Sequence, residues 1–386
     1  MLALLALACA AGIQDVTGLE FTSADGAWIL AVHGKLQADF ARFQAAPGLA
    51  RAAGPFRDGS ETRRSRLDLR GRAAGTVGWR ASADFKSDSG AELRDAYLEA
   101  KLGTGGAVLR AGHFRQPFGL ENRTSSSTFS FFERSVGNEL APGRDAGLMQ
   151  HGGWGGGRGT WAAGAFQETH SDAFGVDSGD RRDRSLTACL TWLPLDQDDG
   201  ARLVQLGASF RHLAPDPAGV SFAERAEAHL GPKIVAASFP AADRAEQLGL
   251  EAAAVLGPAS LQAEWYRTGL AGGTGPTPVL GGGYLQGAWL LTGEHREWKR
   301  GDGVPGRIRP ASPLAPAAGG TGAWELAARW SWLDLGPGPG RRVGVASLVL
   351  GWHWTAHLKL QLGWLHGAAA PAGAADTVML RLHLDW

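Results

Sequence analysis

The sequence is poor in several kinds of residue, and each shortage excludes a class of protein. Only two of its 386 residues are cysteine, and Cys9 lies in an apolar leader, which leaves Cys189 without a disulfide partner. We therefore expect no disulfide framework and no zinc cluster. As separate expectations, we predict no other metal site and no cofactor. After the leader, no apolar run approaches the roughly 18 residues that a transmembrane helix needs. A membrane role would have to come from β-strands.

An excess of one charge is also missing. The 38 lysines and arginines balance 38 aspartates and glutamates, so the chain has no overall field that would attract nucleic acid or an anionic surface. We expect no nucleic-acid partner. Lysine itself is scarce, with six residues, so the basic character rests on arginine.

The leader and the remaining chain differ in composition. Residues 1–10, MLALLALACA, form a short apolar run with small residues at its end, which predicts a signal peptide whose missing basic n-region indicates a truncated start. Residues 18–386 show no second change of composition, which predicts one domain. Glycine makes up 57 of the 386 residues, about twice its usual share, and with many short alternating runs this favours an all-β protein.

One stretch, RRSRLDLRGR at 63–72, holds five arginines in ten residues. In a strand, successive side chains point to opposite faces. Arginine at 64, 66, 70 and 72 then shares a face with Asp68, while the other face carries leucine and glycine. By itself, this pattern fits a half-exposed strand of a soluble sheet equally well.

Similar alternation recurs along the whole chain, for example in VGWRASADFK at 77–86 and TVMLRLHLDW at 377–386. Such strands, separated by short turns and long loops, are typical of a transmembrane β-barrel. An arginine that faces lipid costs about 2–4 kcal/mol at the bilayer midplane, so the arginine face should line the lumen. Arg94 falls on the apolar face of its strand, which predicts either a later membrane entry or a β-bulge. Many tryptophans lie near strand ends, as in an aromatic girdle.

The chain also contains the longer stretches RAGHFRQPFGLENRTSSSTFSFFERSVGNELAPGRDAGLM, GAWELAARWSWLDL and the ending LRLHLDW. These stretches resemble the phosphate-selective porin O and P family of Gram-negative outer membranes. The resemblance implies a trimeric antiparallel barrel of 16 strands in the outer-membrane lipid, with both termini on the periplasmic side. It also implies an inward-folded third loop, from about Leu120 to Asp145, that narrows the pore.

Two groups of residues are the candidate site. The first is the arginine ladder, assigned by strand alternation to Arg64, Arg66, Arg70, Arg72 and Arg80. The second is the predicted constriction, with Arg115, Arg123, Glu133, Arg134 and Arg144. The family resemblance implies lysines at the constriction, whereas this chain has no lysine between Leu120 and Asp145. Phosphate selectivity therefore does not follow from the loop sequence.

The predicted function is passive diffusion of small anions, such as phosphate or polyphosphate, through a water-filled lumen. Arginine suits this role because its guanidinium stays charged and offers forked donors to oxyanions. We expect no enzymatic activity, since no G-x-S-x-G nucleophile motif is present. Two alternatives remain open, a lipase-like or phospholipase-like outer-membrane barrel enzyme and a non-selective general porin.

Overall fold

The computed structural model describes residues 19–86, 90–103, 106–169, 183–272 and 278–386. The predicted signal peptide, residues 1–10, lies outside these ranges. Within them, 16 antiparallel strands form the barrel: β2 (Ile29–Ala45), β3 (Gly59–Ala73), β4 (Val77–Lys86), β5 (Gly90–Leu102), β6 (Ala107–Arg115), β7 (Arg144–Trp154), β8 (Gly159–Gln167), β9 (Arg184–Gln197), β10 (Arg202–Ala214), β13 (Arg244–Leu256), β14 (Ala259–Ala271), β15 (Val279–Leu290), β18 (Ala323–Asp334), β19 (Arg342–His353), β20 (Leu358–Ala370) and β21 (Gly373–Asp385).

Smaller elements accompany the barrel. They are the strands β1 (Leu19–Thr22), β11 (Val220–Arg225), β12 (Lys233–Phe239), β16 (Trp298–Lys299) and β17 (Val304–Pro305), and the helices α1 (Pro47–Ala53) and α2 (Leu120–Arg123). Single 3₁₀ turns occupy Val136–Leu140, Gly155–Gly157, Asp198–Gly200 and Pro316–Ala318. Among the described residues, no helix is long and apolar enough to cross a membrane.

The barrel closes because β2 pairs with β3 on one side and with β21 on the other. The 16-stranded all-β barrel predicted from the sequence is thereby confirmed. Strand β1 pairs with the first residues of β2, where Leu19 faces Val32. It lies on the same side of β2 as β21, which pairs with the rest of that strand. The start of β2 and the end of β21 therefore lie at the same end of the barrel, which we call the terminal end. We call the opposite end of the barrel the loop end.

The alternating side chains separate as a membrane barrel requires. Large apolar residues such as Leu98, Leu186 and Trp330 are exposed on the outside, whereas Asp39, Glu264 and Arg381 are buried inside. Among the described residues, seven tryptophans are exposed: Trp28, Trp154, Trp192, Trp265, Trp289, Trp330 and Trp364. The outer surface is therefore apolar and the interior polar and charged.

Two of the β-bulges in the described barrel wall change which arginine side chains reach the interior. In the pairing of β2 with β3, Gln37 faces Arg64 and Ala38 faces Thr62, so Arg63 is the extra residue. Between β4 and β5 the register shifts in the same way, and the extra residue is Arg94. The bulge considered for Arg94 from its sequence position is thus present.

Three connections fold into the lumen. The constriction loop, residues 116–143, joins β6 to β7, and the lumen hairpin, residues 215–243, carries β11 and β12. The terminal-end segment, residues 291–322, enters from the opposite side between β15 and β18. The predicted loop, Leu120 to Asp145, is therefore shifted by a few residues, because Arg115 pairs with Arg144 and extends β6 and β7.

The constriction loop lies against the wall formed by β14, β15 and β18. Gly137 approaches the wall closely, since a Cβ there would lie 2.8 Å from the Cα of Gly283. Phe118 stacks on Tyr266, with ring centroids 6.2 Å apart. The backbone contact between Gly137 and Gly283 is possible because position 137 carries no side chain. The loop covers one wall, and the open part of the lumen borders the wall that carries the arginines.

Candidate functional site

The main cavity of the lumen has a volume of about 930 Å³ and is strongly basic. Among the described residues, fourteen arginines and two lysines line it, against eight carboxylates. Because the chain as a whole is neutral, the fold has concentrated positive charge around this cavity. Charge of one sign in a narrow, low-dielectric passage raises the local concentration of oppositely charged ions. The cavity is suited to anions.

Four of the five predicted ladder residues line the cavity: Arg64, Arg66, Arg70 and Arg80. Arg72 lies nearer the terminal end on the same strand, is exposed, and is not among the cavity residues.

Carboxylates hold the ladder side chains in place. Arg66 donates to Asp84 at 2.7 Å, while Arg70 and Arg80 both donate to Asp68, at 2.8 and 2.6 Å. These acids fix the guanidinium groups but cancel part of their charge.

A fifth arginine of this wall was missed by strand alternation. Arg63 should face outward, opposite to Arg64, yet the bulge turns it into the cavity. The adjacent arginines at 63 and 64 could have indicated this bulge. In a regular strand one of them would face lipid, at a cost of about 2–4 kcal/mol.

A second group, the arginine cluster, consists of Arg94, Arg115, Arg134 and Arg144. Arg144 donates to Asp95 at 2.9 Å, and Arg94 is hydrogen-bonded to Glu92. The four guanidinium groups repel one another. The cluster joins three strands to the constriction loop, so only the fold brings it together.

Two members of the cluster are held without a carboxylate. Arg115 donates to the side-chain oxygen of Asn122. Arg134 donates to three backbone carbonyls, among them those of Glu121 at 3.1 Å and Thr124 at 2.9 Å. Burial lowers the pKa of Arg134 to about 10, although the nearby Glu121 carboxylate acts in the opposite direction, and Arg134 therefore still carries its charge at neutral pH. In the part of the chain that the structure describes, neither side chain donates to a carboxylate group.

The structure separates Arg123 from this cluster. Its guanidinium donates to Glu251 on β13 at 2.6 Å and to the carbonyl of Asp302 in the terminal-end segment at 2.8 Å. Arg123 therefore links the loop to the far wall and to the opposite entrance. Its charge is balanced by Glu251.

Glu133, the acidic residue predicted at the constriction, bonds to the arginine wall. It accepts hydrogen bonds from Arg63, Arg64 and Arg381 at 2.7 to 2.9 Å. Burial by itself would raise the pKa of Glu133, but these guanidinium groups hold it well below its ordinary value. Glu133 is thus ionised and ties the loop to β3 and β21.

Residues that anchor the loops were not identified from the sequence. Arg329 on β18 donates to Glu121 at 3.0 Å, to the carbonyl of Glu133 at 2.9 Å, and to Glu227 of the lumen hairpin. Glu264 accepts the backbone N–H groups of Leu120 and Glu121 at 2.6 and 2.7 Å. Each is an ordinary inward residue of its strand, so no local signal marks it.

Comparison with known proteins identifies relatives of this chain. The family described as phosphate-selective porin O and P matches residues 30–381. Porin O of Pseudomonas aeruginosa is 25% identical over 362 residues, which span 82% of this chain and 75% of that protein.

Solved structures share the fold at low identity. The trimer form of OmpT, an outer-membrane protein of Vibrio cholerae, superposes with a TM-score of 0.58 at 10% identity and covers 93% of this chain and 100% of its own. An anion-selective porin from Comamonas acidovorans gives a TM-score of 0.56 at 14% identity, with 93% and 100% coverage.

Proposed function

This chain belongs to the phosphate-selective porin O and P family and forms a channel for small anions in the Gram-negative outer membrane, and from this premise we propose that its arginine cluster binds small oxyanions such as phosphate in transit. The supporting observation is that Arg115 and Arg134 line the cavity with their charges unbalanced by a hydrogen-bonded carboxylate. A forked, permanently charged donor matches two oxygens of phosphate.

The mechanism needs no catalyst. An anion enters the lumen because the basic wall lowers its electrostatic energy, and it exchanges part of its water for guanidinium donors. The ladder and the cluster offer several moderate sites in series, so the anion can leave as readily as it enters. The carboxylates among the arginines reduce the net positive charge of each site and so keep its affinity for anions moderate.

The test is block of chloride current by added inorganic phosphate in planar bilayers. In the double variant Arg115→Gln and Arg134→Gln, we expect block to need on the order of tenfold more phosphate, since charge-assisted hydrogen bonds contribute about 1.5–3 kcal/mol. Arg123→Gln removes one charge from the same loop but should have the smaller effect, because Glu251 already balances that charge. Equal block in all three channels would contradict an oxyanion site at the cluster.

Two further properties belong to this proposal. The family and a trimeric structural relative support a homotrimer. We also infer that the loop end is extracellular, since short turns of such barrels face the periplasm and the described connections at the terminal end, other than the terminal-end segment, are short. Stepwise conductance without lipid hydrolysis would exclude the barrel enzyme, and a reversal potential near zero in a salt gradient would favour the non-selective general porin.

A further inference from the structure

We propose that Glu133 is a built-in occupant of a second oxyanion site, formed by Arg63, Arg64 and Arg381, and that it limits how tightly the lumen holds oxyanions. The inference rests on the proposed anion channel and concerns its regulation by one side chain of the constriction loop. The three arginines of the site lie on β3 and β21, whereas the arginine cluster comprises residues of β5, β6 and β7 together with Arg134, the neighbour of Glu133 in the constriction loop.

The carboxylate of Glu133 is bound as a free oxyanion would be. Its Oε1 accepts from Nε of Arg63 at 2.7 Å and from Nη2 of Arg381 at 2.9 Å. Its Oε2 accepts from Nη2 of Arg63 at 2.9 Å and from Nη2 of Arg64 at 2.8 Å. Arg63 therefore makes the forked contact with which guanidinium groups bind carboxylates and phosphates alike.

The rest of the protein holds two of these arginines in position. Arg381 donates to both oxygens of Asp39 at 2.6 Å, and Arg64 donates to Gln37 at 2.5 Å. Neither contact depends on Glu133. Arg64 and Arg381 should therefore keep their places when the carboxylate is removed, and this part of the site would remain preformed.

Charge balance indicates that the site would then take up an anion. Among the described residues, Glu133 is the one carboxylate that accepts hydrogen bonds from Arg63 and Arg64. Its loss would leave the buried guanidinium groups of Arg63 and Arg64 without a hydrogen-bonded carboxylate, which is costly. An oxyanion can reach them, because Glu133, Arg63 and Arg64 all line the main cavity.

The experiment compares full-length channels in planar bilayers with inorganic phosphate as the probe. Glu133→Gln removes the charge at nearly constant size, and we expect half-block of the chloride current at about one tenth of the wild-type phosphate concentration. Asp302→Asn is the matched control, since it removes one negative charge from the same cavity but leaves the three arginines occupied. Its block should stay within about twofold of wild type.

Two more variants keep the test decisive if Glu133→Gln yields few folded channels. Glu133→Asp retains the charge but shortens its reach, and should give an intermediate gain of about threefold. Adding Arg63→Gln to Glu133→Gln removes the forked donor and should return block to near the wild-type value.

The inference would be overturned if Glu133→Gln and Glu133→Asp both needed the wild-type phosphate concentration for half-block. It would also be overturned if Asp302→Asn increased the sensitivity to phosphate as much as Glu133→Gln does. The anion preference of the wild-type channel is measured separately from its reversal potential. A cation-selective wild type would overturn the proposed function instead, so the two failures are distinguishable.

Discussion

Gly34 and Trp386 exchange two backbone hydrogen bonds of 3.1 Å across the junction of the first and last barrel strands. The indole of Trp386 also covers Gly34 so closely that a Cβ at position 34 would overlap its ring. The seam of the barrel is therefore completed by these two residues. Glycine is required there because any side chain would displace the tryptophan.

We expect deletion of Trp386 to reduce the amount of folded barrel in membranes, because the seam loses both hydrogen bonds and the apolar cover. Gly34→Ala should act in the same direction and less strongly. Heat-modifiable mobility on gels measures the folded fraction. Gly344→Ala serves as the control, since its nearest neighbour would be 3.9 Å from the new Cβ. Normal folded levels without Trp386 would show that the seam closes without it.

The ladder arginines should differ in their importance for stability. The Arg66 side chain is 12% exposed and that of its partner Asp84 is 2% exposed, whereas the Arg70 side chain is 51% exposed. Breaking a buried pair costs about 3–5 kcal/mol, and breaking an exposed one about 0–1 kcal/mol. Arg66→Gln should therefore lower the unfolding temperature more than Arg70→Gln.

Both variants should reduce anion preference, measured as the reversal potential in a potassium chloride gradient, since each removes a positive charge from the lumen. If a channel with both Arg66→Gln and Arg70→Gln kept the wild-type reversal potential, the ladder would be a structural feature without influence on permeation.

Arg329 should control the position of two lumen segments at once. Its guanidinium joins Glu121 of the constriction loop to Glu227 of the lumen hairpin, and it lies 4.2 Å from the ring centroid of Phe131. In Arg329→Met we expect larger and noisier single-channel conductance, because buried carboxylates lose their partner and both segments loosen. Arg342→Met, which breaks an exposed pair with Asp334, should leave the current unchanged. Quiet, wild-type conductance in Arg329→Met would contradict this anchoring role.

Docking of the constriction loop on the lumen hairpin should weaken as the pH rises. Glu139 accepts the N–H of Ala223 at 2.8 Å, and burial, reinforced by Glu224, raises its pKa to about 8 from an ordinary value of 4.5. The docked state thus binds more protons between these values, so its stability falls with increasing pH across this range and levels off above it. Burial also raises the pKa of Glu224, which gives the same sign.

Current noise should accordingly be greater at pH 9 than at pH 5. Glu139→Gln should flatten this dependence, since an amide oxygen still accepts the hydrogen bond from Ala223 but does not ionise. An identical pH profile in this variant would assign the effect to other groups.

Much of the wall could be predicted from the sequence, because strand periodicity is a local property. Alternation in TVMLRLHLDW placed Leu384 outside and Arg381 inside, as the barrel has them. The same argument placed Arg64, Arg66, Arg70 and Arg80 toward the lumen, where they line the cavity. Alternation failed at Arg63, because a one-residue bulge reverses the side of every position that it shifts.

The sequence by itself determined the class of barrel, the orientation of its strand faces and the basic character of its lumen, since each follows from neighbours two residues apart and from the cost of charge in lipid. Which of these charges are balanced was decided only by the tertiary structure. Arg123 and Glu251 are 128 positions apart, and Arg381 and Glu133 are 248 apart. Such pairs form where a loop folds back onto a distant strand, and the energy of a charge depends on the partner that folding brings within a few ångströms.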